Sequence, residues 1–115
     1  MNGKIQETVF DGEEQLLAPE VAETLREYCV YAVEHGTGAA ALPEAGGAGG
    51  KTSSAQTGVV KNGKELLNVC FTGFYPADNP RYAITVYAED GISGGKTCAP
   101  VFKKICDYFD LKSGA

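Results

Sequence analysis

Residues 61–89 read KNGKELLNVCFTGFYPADNPRYAITVYAE, a hairpin turn followed by two extended segments. Lys61-Asn62-Gly63-Lys64 contains an Asn-Gly dipeptide, whose two residues accept the positive φ that a two-residue hairpin turn demands. Leu66 to Tyr75 and Tyr82 to Glu89 are rich in Val, Ile, Tyr, Phe and Thr, side chains that suit a pleated, half-buried surface. Pro76-Ala77-Asp78-Asn79-Pro80 joins them, a short connection with two prolines, so the two strands are expected to be antiparallel neighbours.

Helical patterns flank this sheet. After the glycine-rich turn Gly91 to Gly95, a helix is expected to start near Pro100, with Val101, Ile105, Tyr108 and Phe109 on one face. On the other side, Pro19 suits a first helical turn, and Glu20 and Glu23 complement its positive end. Val21, Leu25, Tyr28, Cys29 and Ala32 repeat at helical spacing and predict a buried face. Gly36 ends that helix, with His35 in its last turn. Ile5 to Phe10 has short β-type patterning and ends at the turn dipeptide Asp11-Gly12. Residues 36–50, rich in Gly and Ala, read as a loop; a linker between domains is the alternative, but the flanking halves are too small to fold separately. The expected fold is α+β: an antiparallel sheet of three to four strands packed by a helix from the N-terminal half and a C-terminal helix.

A chain of 115 residues has room for one core. Its net charge of −5 leaves no basic stripe for phosphates, which excludes a nucleic-acid binder. The adjacent pair Lys103-Lys104 reads as a solvated helix face. No apolar run approaches the roughly 20 residues of a membrane span, and no apolar signal core follows Met1-Asn2-Gly3-Lys4. The chain is therefore expected to carry no anchor or export signal of its own. Cys29, Cys70, Cys98 and Cys106 are widely spaced, and His35 is the single histidine, so no zinc set is expected. Cys29, Cys70 and Cys106 lie in apolar patterns and are expected to be small core residues rather than disulfide partners.

The segment with the most chemistry is Gly49-Gly50-Lys51-Thr52-Ser53-Ser54-Ala55-Gln56-Thr57-Gly58. Gly50-Lys51-Thr52 matches the end of a phosphate-binding loop, but that pattern's first glycine falls on Ala45. No strand pattern precedes the segment over His35 to Glu44, and no apolar helical face follows it over Ser53 to Gly63. A polar edge strand, its lysine discouraging aggregation, is the bland alternative.

An ordered series of signatures supports a third reading. His35-Gly36-Thr37-Gly38, Gly50 to Gln56, Phe71-Thr72-Gly73-Phe74-Tyr75-Pro76, Asn79 to Val86 and Ala99 to Ile105 together resemble the serine penicillin-recognising enzymes. Within that family the series is most similar to the class B penicillin-binding proteins, over most of the chain from about Pro19 onward. The resemblance implies residues 1–115 as a single partial domain, the C-terminal portion of a transpeptidase domain that cross-links peptidoglycan. It implies Lys51 as a catalytic cation, Thr52 and Ser54 as hydroxyls for the substrate's terminal carboxylate, and the backbone N–H of Ser54 at the oxyanion. An extended substrate would add along the strand edge.

The implied partners are peptidoglycan stem peptides and β-lactams, with no cofactor. The implied parent is membrane-anchored, with this domain on the extracytoplasmic face. Ser53 stands where the family has glycine, so its Cβ and hydroxyl must find room; Cys70 stands where a tryptophan is usual. No serine precedes Ser53, and neither Ser53 nor Ser54 is followed three residues on by lysine. The resemblance thus puts the Ser-x-x-Lys nucleophile and the Ser-x-Asn motif upstream of this piece. A β-lactam sensor or degenerate, non-catalytic domain of the same fold is the alternative. Absence of the upstream half would also expose the Tyr82–Glu89 edge and favour self-association.

Overall fold

The computed structural model describes residues 3–9 and 11–113. Helix α1 spans Pro19–His35, with proline in its first turn and Gly36 at its C-cap. A short 3₁₀ turn, Ala39–Ala41, leads to three strands, β1 Gly49–Lys61, β2 Lys64–Tyr75 and β3 Tyr82–Ala88. A π-helical turn, Gly94–Cys98, then runs directly into α2, Ala99–Ser113. The sheet is antiparallel, in the order β1-β2-β3, so β2 is central and β1 and β3 are its edges. The hairpin turn is where the Asn-Gly pair puts it: Lys61 faces Lys64, with Asn62 at φ 53° and Gly63 at φ 75°.

Directly opposed residues of a ladder share a face. Thr52 faces Phe71 and Ser54 faces Val69 across β1–β2; Phe71 faces Val86 and Val69 faces Ala88 across β2–β3. This face is covered by the helices, and on it Val69 and Phe71 are fully buried. Lys51, opposite Thr72, and Ser53, opposite Cys70, lie on the other face, where Thr72, Thr85 and Tyr87 are exposed.

The core is centred on Phe71 of β2 and Phe102 of α2, whose tilted rings have centroids 4.7 Å apart. They rest where the sheet is bare. Gly50 and Gly73 face each other across β1–β2, and a Cβ on Gly50 would lie 2.6 Å from Phe71 Cε1. A Cβ on Gly73 would lie 3.0 Å from Phe102 Cε2. Burying each phenylalanine stabilises the fold by about 1.5–3 kcal/mol, with about 0.5–1.5 more for the pair.

Four expectations are corrected by this packing. The buried stripe of α2 is Ala99, Phe102 and Cys106 with Phe109 beside it; Val101 and Tyr108 are exposed and Ile105 is half-buried. Both stripes have helical spacing, and only the glycine bed under Phe102 chooses between them. Val21, Leu25 and Tyr28 of α1 are also exposed, whereas Val33 is fully buried and Cys29 and Ala32 are half-buried. Burial on this helix is confined to its C-terminal half, around Val33, so its first turns stay solvated.

The strand expected from Ile5 does not form over residues 5–9, and Phe10 lies outside the described residues. Ile5 and Val9 are solvated, and among the described residues no neighbouring strand offers them a ladder. Lys103 is not part of a solvated pair: its Nζ lies 2.8 Å from both Glu44 Oε1 and Asp107 Oδ2, tying the loop before β1 to α2, while Lys104 is exposed.

All four cysteines are free thiols. Cys106 is fully buried, Cys29 and Cys70 are half-buried, and Cys98, which its sequence context does not single out, is fully buried too. Burial, then the charge of Asp107, pushes the Cys106 thiol up to about 12. Burial also raises Cys98, with Cys70 adding to the effect.

Three outcomes follow. Phe102→Ala is expected to lower unfolding free energy by about 3–5 kcal/mol in urea titration, and Tyr108→Ala by less than about 1 kcal/mol; equal losses would contradict the stripe assignment. At pH 8 a thiol reagent should modify Cys29 and Cys70 in the folded chain and reach Cys98 and Cys106 only on unfolding. Because the Cys106 pKa is raised on folding, its contribution to stability is full below about pH 9 and is lost as pH rises towards about 12.

Candidate functional site

Strand β1 carries every site residue expected from the sequence, and its alternation divides them. Thr52 and Ser54 lie on the helix-covered face near the free edge; Lys51 and Ser53 lie on the open face, both exposed. Lys51 Nζ donates to the carbonyl of Thr52 at 2.8 Å, which holds the ammonium close to the strand. Ser53, at the position where the family has glycine, points its Cβ to the solvent side, so the covered face does not have to accommodate it.

Thr52 and Ser54 open on a cleft of about 430 Å³, shared with Thr37, Ser93, Gly94, Gly95 and Lys96. Thr37, just after α1, brings its Oγ1 to 3.1 Å from Thr52 Oγ1. Gly94 N–H donates to Ser54 Oγ at 3.3 Å. The close approach of Gly94 depends on its missing side chain: a Cβ there would lie 2.8 Å from both the N and the O of Ser53 and would also strike the carbonyl of Cys70. Ser93 Oγ accepts the Lys96 N–H at 3.1 Å and so caps the π-helical turn.

Residues 49–61 form one continuous strand, interrupted only by an irregularity between Gln56 and Val60. A phosphate-binding loop needs a turn that opens a helix at this point, so that alternative is ruled out. The sequence reading also missed three contributors, Thr37, Ser93 and Lys96. Thr37 lies in the His35-Gly36-Thr37-Gly38 signature, where the sequence gives it no role of its own. Ser93 and Lys96 have Ser-x-x-Lys spacing, a signal present in the sequence itself. Among the described residues, however, no bond joins Lys96 Nζ to Ser93 Oγ, and Ser93 serves the turn.

Comparison with known proteins gives a consistent result. The model of the penicillin binding protein transpeptidase domain matches residues 6–107. Stage V sporulation protein D of Bacillus subtilis is 36% identical over 98 residues, covering 79% of this chain and 15% of that protein. The peptidoglycan D,D-transpeptidase MrdA of Acinetobacter baumannii is 33% identical over 97 residues, covering 76% of this chain and 14% of that protein. The transpeptidase domain of the FtsI4 D,D-transpeptidase from Legionella pneumophila superposes with a TM-score of 0.66 at 28% identity, over 84% of this chain and 37% of that one. The chain thus spans about 15% of the length of these curated relatives.

Gly94→Ala is expected to cost about 1–3 kcal/mol of stability, because the turn must lift from β1. Thermal and urea unfolding measure it, and amide hydrogen exchange at Ser53 and Ser54 should rise. A variant as stable as the parent would show that the turn does not brace the strand.

Proposed function

This chain belongs to the penicillin binding protein transpeptidase family, and from that membership we propose that it is the C-terminal portion of a serine-type D,D-transpeptidase domain. In this reading the parent attacks the D-alanyl-D-alanine end of a peptidoglycan stem peptide, releases the terminal residue and passes the acyl group to a neighbouring amine. β-Lactams acylate the same nucleophile. The chain contributes Lys51 as a fixed cation, Thr52 and Ser54 as hydroxyls for the substrate carboxylate, and an edge along which an extended peptide adds. The nucleophile belongs to the preceding part of the domain, and the chemistry calls on no cofactor.

The observation that carries the reading is the edge strand β1. It has a free edge, a lysine on one face and two hydroxyls on the other, next to a cleft. The relatives' names, which refer to peptidoglycan D,D-transpeptidation and sporulation, support it. The parent is proposed to be membrane-anchored with this domain outside the membrane; among the described residues no helix is long and apolar enough to cross one. Self-association through the β3 edge is part of the same proposal.

Ser53 favours a second reading, a β-lactam-sensing or degenerate domain, because its side chain occupies the open face beside Lys51. Acylation without cross-linking by the full-length gene product would select the sensor, and Ser53→Gly would then be expected to speed acylation.

A fluorescent penicillin should label the full-length gene product and leave the 115-residue chain unlabelled. Lys51→Ala in the full-length protein should slow labelling by about 100-fold or more. Labelling of the short chain, abolished by Ser93→Ala, would overturn the fragment reading.

A further inference from the structure

The seven residues 44–50 lead directly into Lys51, and four of them are glycine. Glycine leaves the backbone its widest freedom, so a segment of this composition keeps one path only where other elements impose it. Gly46 and Gly47 stand at φ 83° and 63°, and their carbonyls both accept the Ala77 N–H, at 3.0 and 3.1 Å. Gly49 and Gly50 lie against aromatic rings: a Cβ on Gly49 would come 2.8 Å from Phe74 Cε1, and one on Gly50 2.6 Å from Phe71 Cε1. These holds are one shared hydrogen bond and two apolar contacts with bare backbone. Apolar contact is non-directional, so it sets depth better than it sets position along the strand.

The start of the segment is held differently. Pro43 is buried, and Glu44 enters a closed ring of three hydrogen bonds with α2. The Glu44 N–H donates to Asp107 Oδ1, and Lys103 Nζ donates both to Glu44 Oε1 and to Asp107 Oδ2, each at 2.8 Å. Such bonds are charge-assisted and directional. The other ion pairs among the described residues, Arg26–Glu23 and His35–Glu34, stay within α1, so Lys103–Glu44 is the one of them that joins two elements. Phe102, the residue before Lys103, packs its ring on Phe71, the ring that covers Gly50. Consecutive residues of one helix therefore bear on the two ends of the segment. Stability alone is a poor account of the Lys103 contact: Glu44 is exposed, and water screens an ion pair with an exposed partner. What the contact restricts is the path of a glycine-rich lead into the site.

We propose that Lys103 is a positioning residue for Lys51: through Glu44 and Asp107 it fixes the start of the segment whose far end carries the site lysine. Lys103 touches no substrate in this assignment and acts only through the backbone between Glu44 and Lys51. The role of Lys51 itself rests on the transpeptidase reading; the hold on the segment rests on the bonds of Lys103, Glu44 and Asp107.

The test has two arms. In the 115-residue chain, amide hydrogen exchange is followed residue by residue in Lys103→Met, which keeps an apolar stem and removes the ammonium. Amides of residues 49–52 should exchange at least about tenfold faster, while that of Leu67, at the hairpin end, stays within about twofold. In the full-length gene product, Lys103→Met should slow acylation by a fluorescent penicillin about tenfold, and Lys103→Arg should restore it. Adding Glu44→Gln to Lys103→Met should change little, because both cut one link. Ile84→Ala, a truncation on β3 beside the core, controls for lost stability and should leave acylation within about twofold. Unchanged exchange at residues 49–52 in Lys103→Met, no rescue by arginine, or equal slowing in Ile84→Ala would each overturn the assignment. A full-length protein that penicillin does not label would end the transpeptidase reading, while the exchange arm would still decide whether Lys103 holds the segment.

Discussion

The rings of Phe71 and Phe102 lie over a strip of sheet left bare by Gly50 and Gly73, and the placement of the surrounding elements follows from that contact. It fixes which side of α2 faces the sheet. It sets the depth at which the helix sits, because neither glycine position has room for a Cβ. Gly50 also immediately precedes Lys51, so the residue that receives the Phe71 ring is covalently joined to the start of the site. Packing and chemistry meet at one peptide bond.

From there the period of two in β1 does the rest. Once Gly50 faces the core, Thr52 and Ser54 must face the helices and Lys51 and Ser53 must face away. The turn before α2 then closes against the strand through Gly94, and Thr37 arrives from the end of α1. Three segments distant in sequence thus converge on two hydroxyls. The Glu44–Lys103–Asp107 cluster ties the loop ahead of β1 to α2 from the outside, and hydrogen bonds from Lys103 and from the Glu44 N–H hold the Asp107 carboxyl below its usual range.

Much of this was legible in the sequence because it is local. Asn62-Gly63 specifies its own turn, Pro19 and Gly36 bracket α1, and the composition of 66–75 and 82–89 specifies strands. What was not legible depends on relative placement. The α2 stripe could be rotated by one residue without violating helical spacing, and only Phe102 seated on the glycine bed distinguishes the two. Val21, Leu25 and Tyr28 obey the rule for a buried face yet remain solvated, because periodicity states what a helix offers and not what is present to cover it. Ile5 and Val9 fail for the same reason. At the site, the strand motif was evident; Thr37, Ser93 and Lys96 are visible in the sequence as signatures or spacings, but their approach to the strand depends on tertiary proximity.

The irregularity between Gln56 and Val60 divides β1 into two zones of different evolutionary freedom. Inserting or deleting one residue between Gly50 and Ser54 would exchange the two faces, burying a lysine and turning the hydroxyls outward. Past Gln56 the ladder already tolerates a break, so the hairpin tip can lengthen or shorten without disturbing the faces upstream. Length variation among descendants of this chain should therefore collect at the tip, while the stretch beside Gly50 admits changes of residue type but not of residue number.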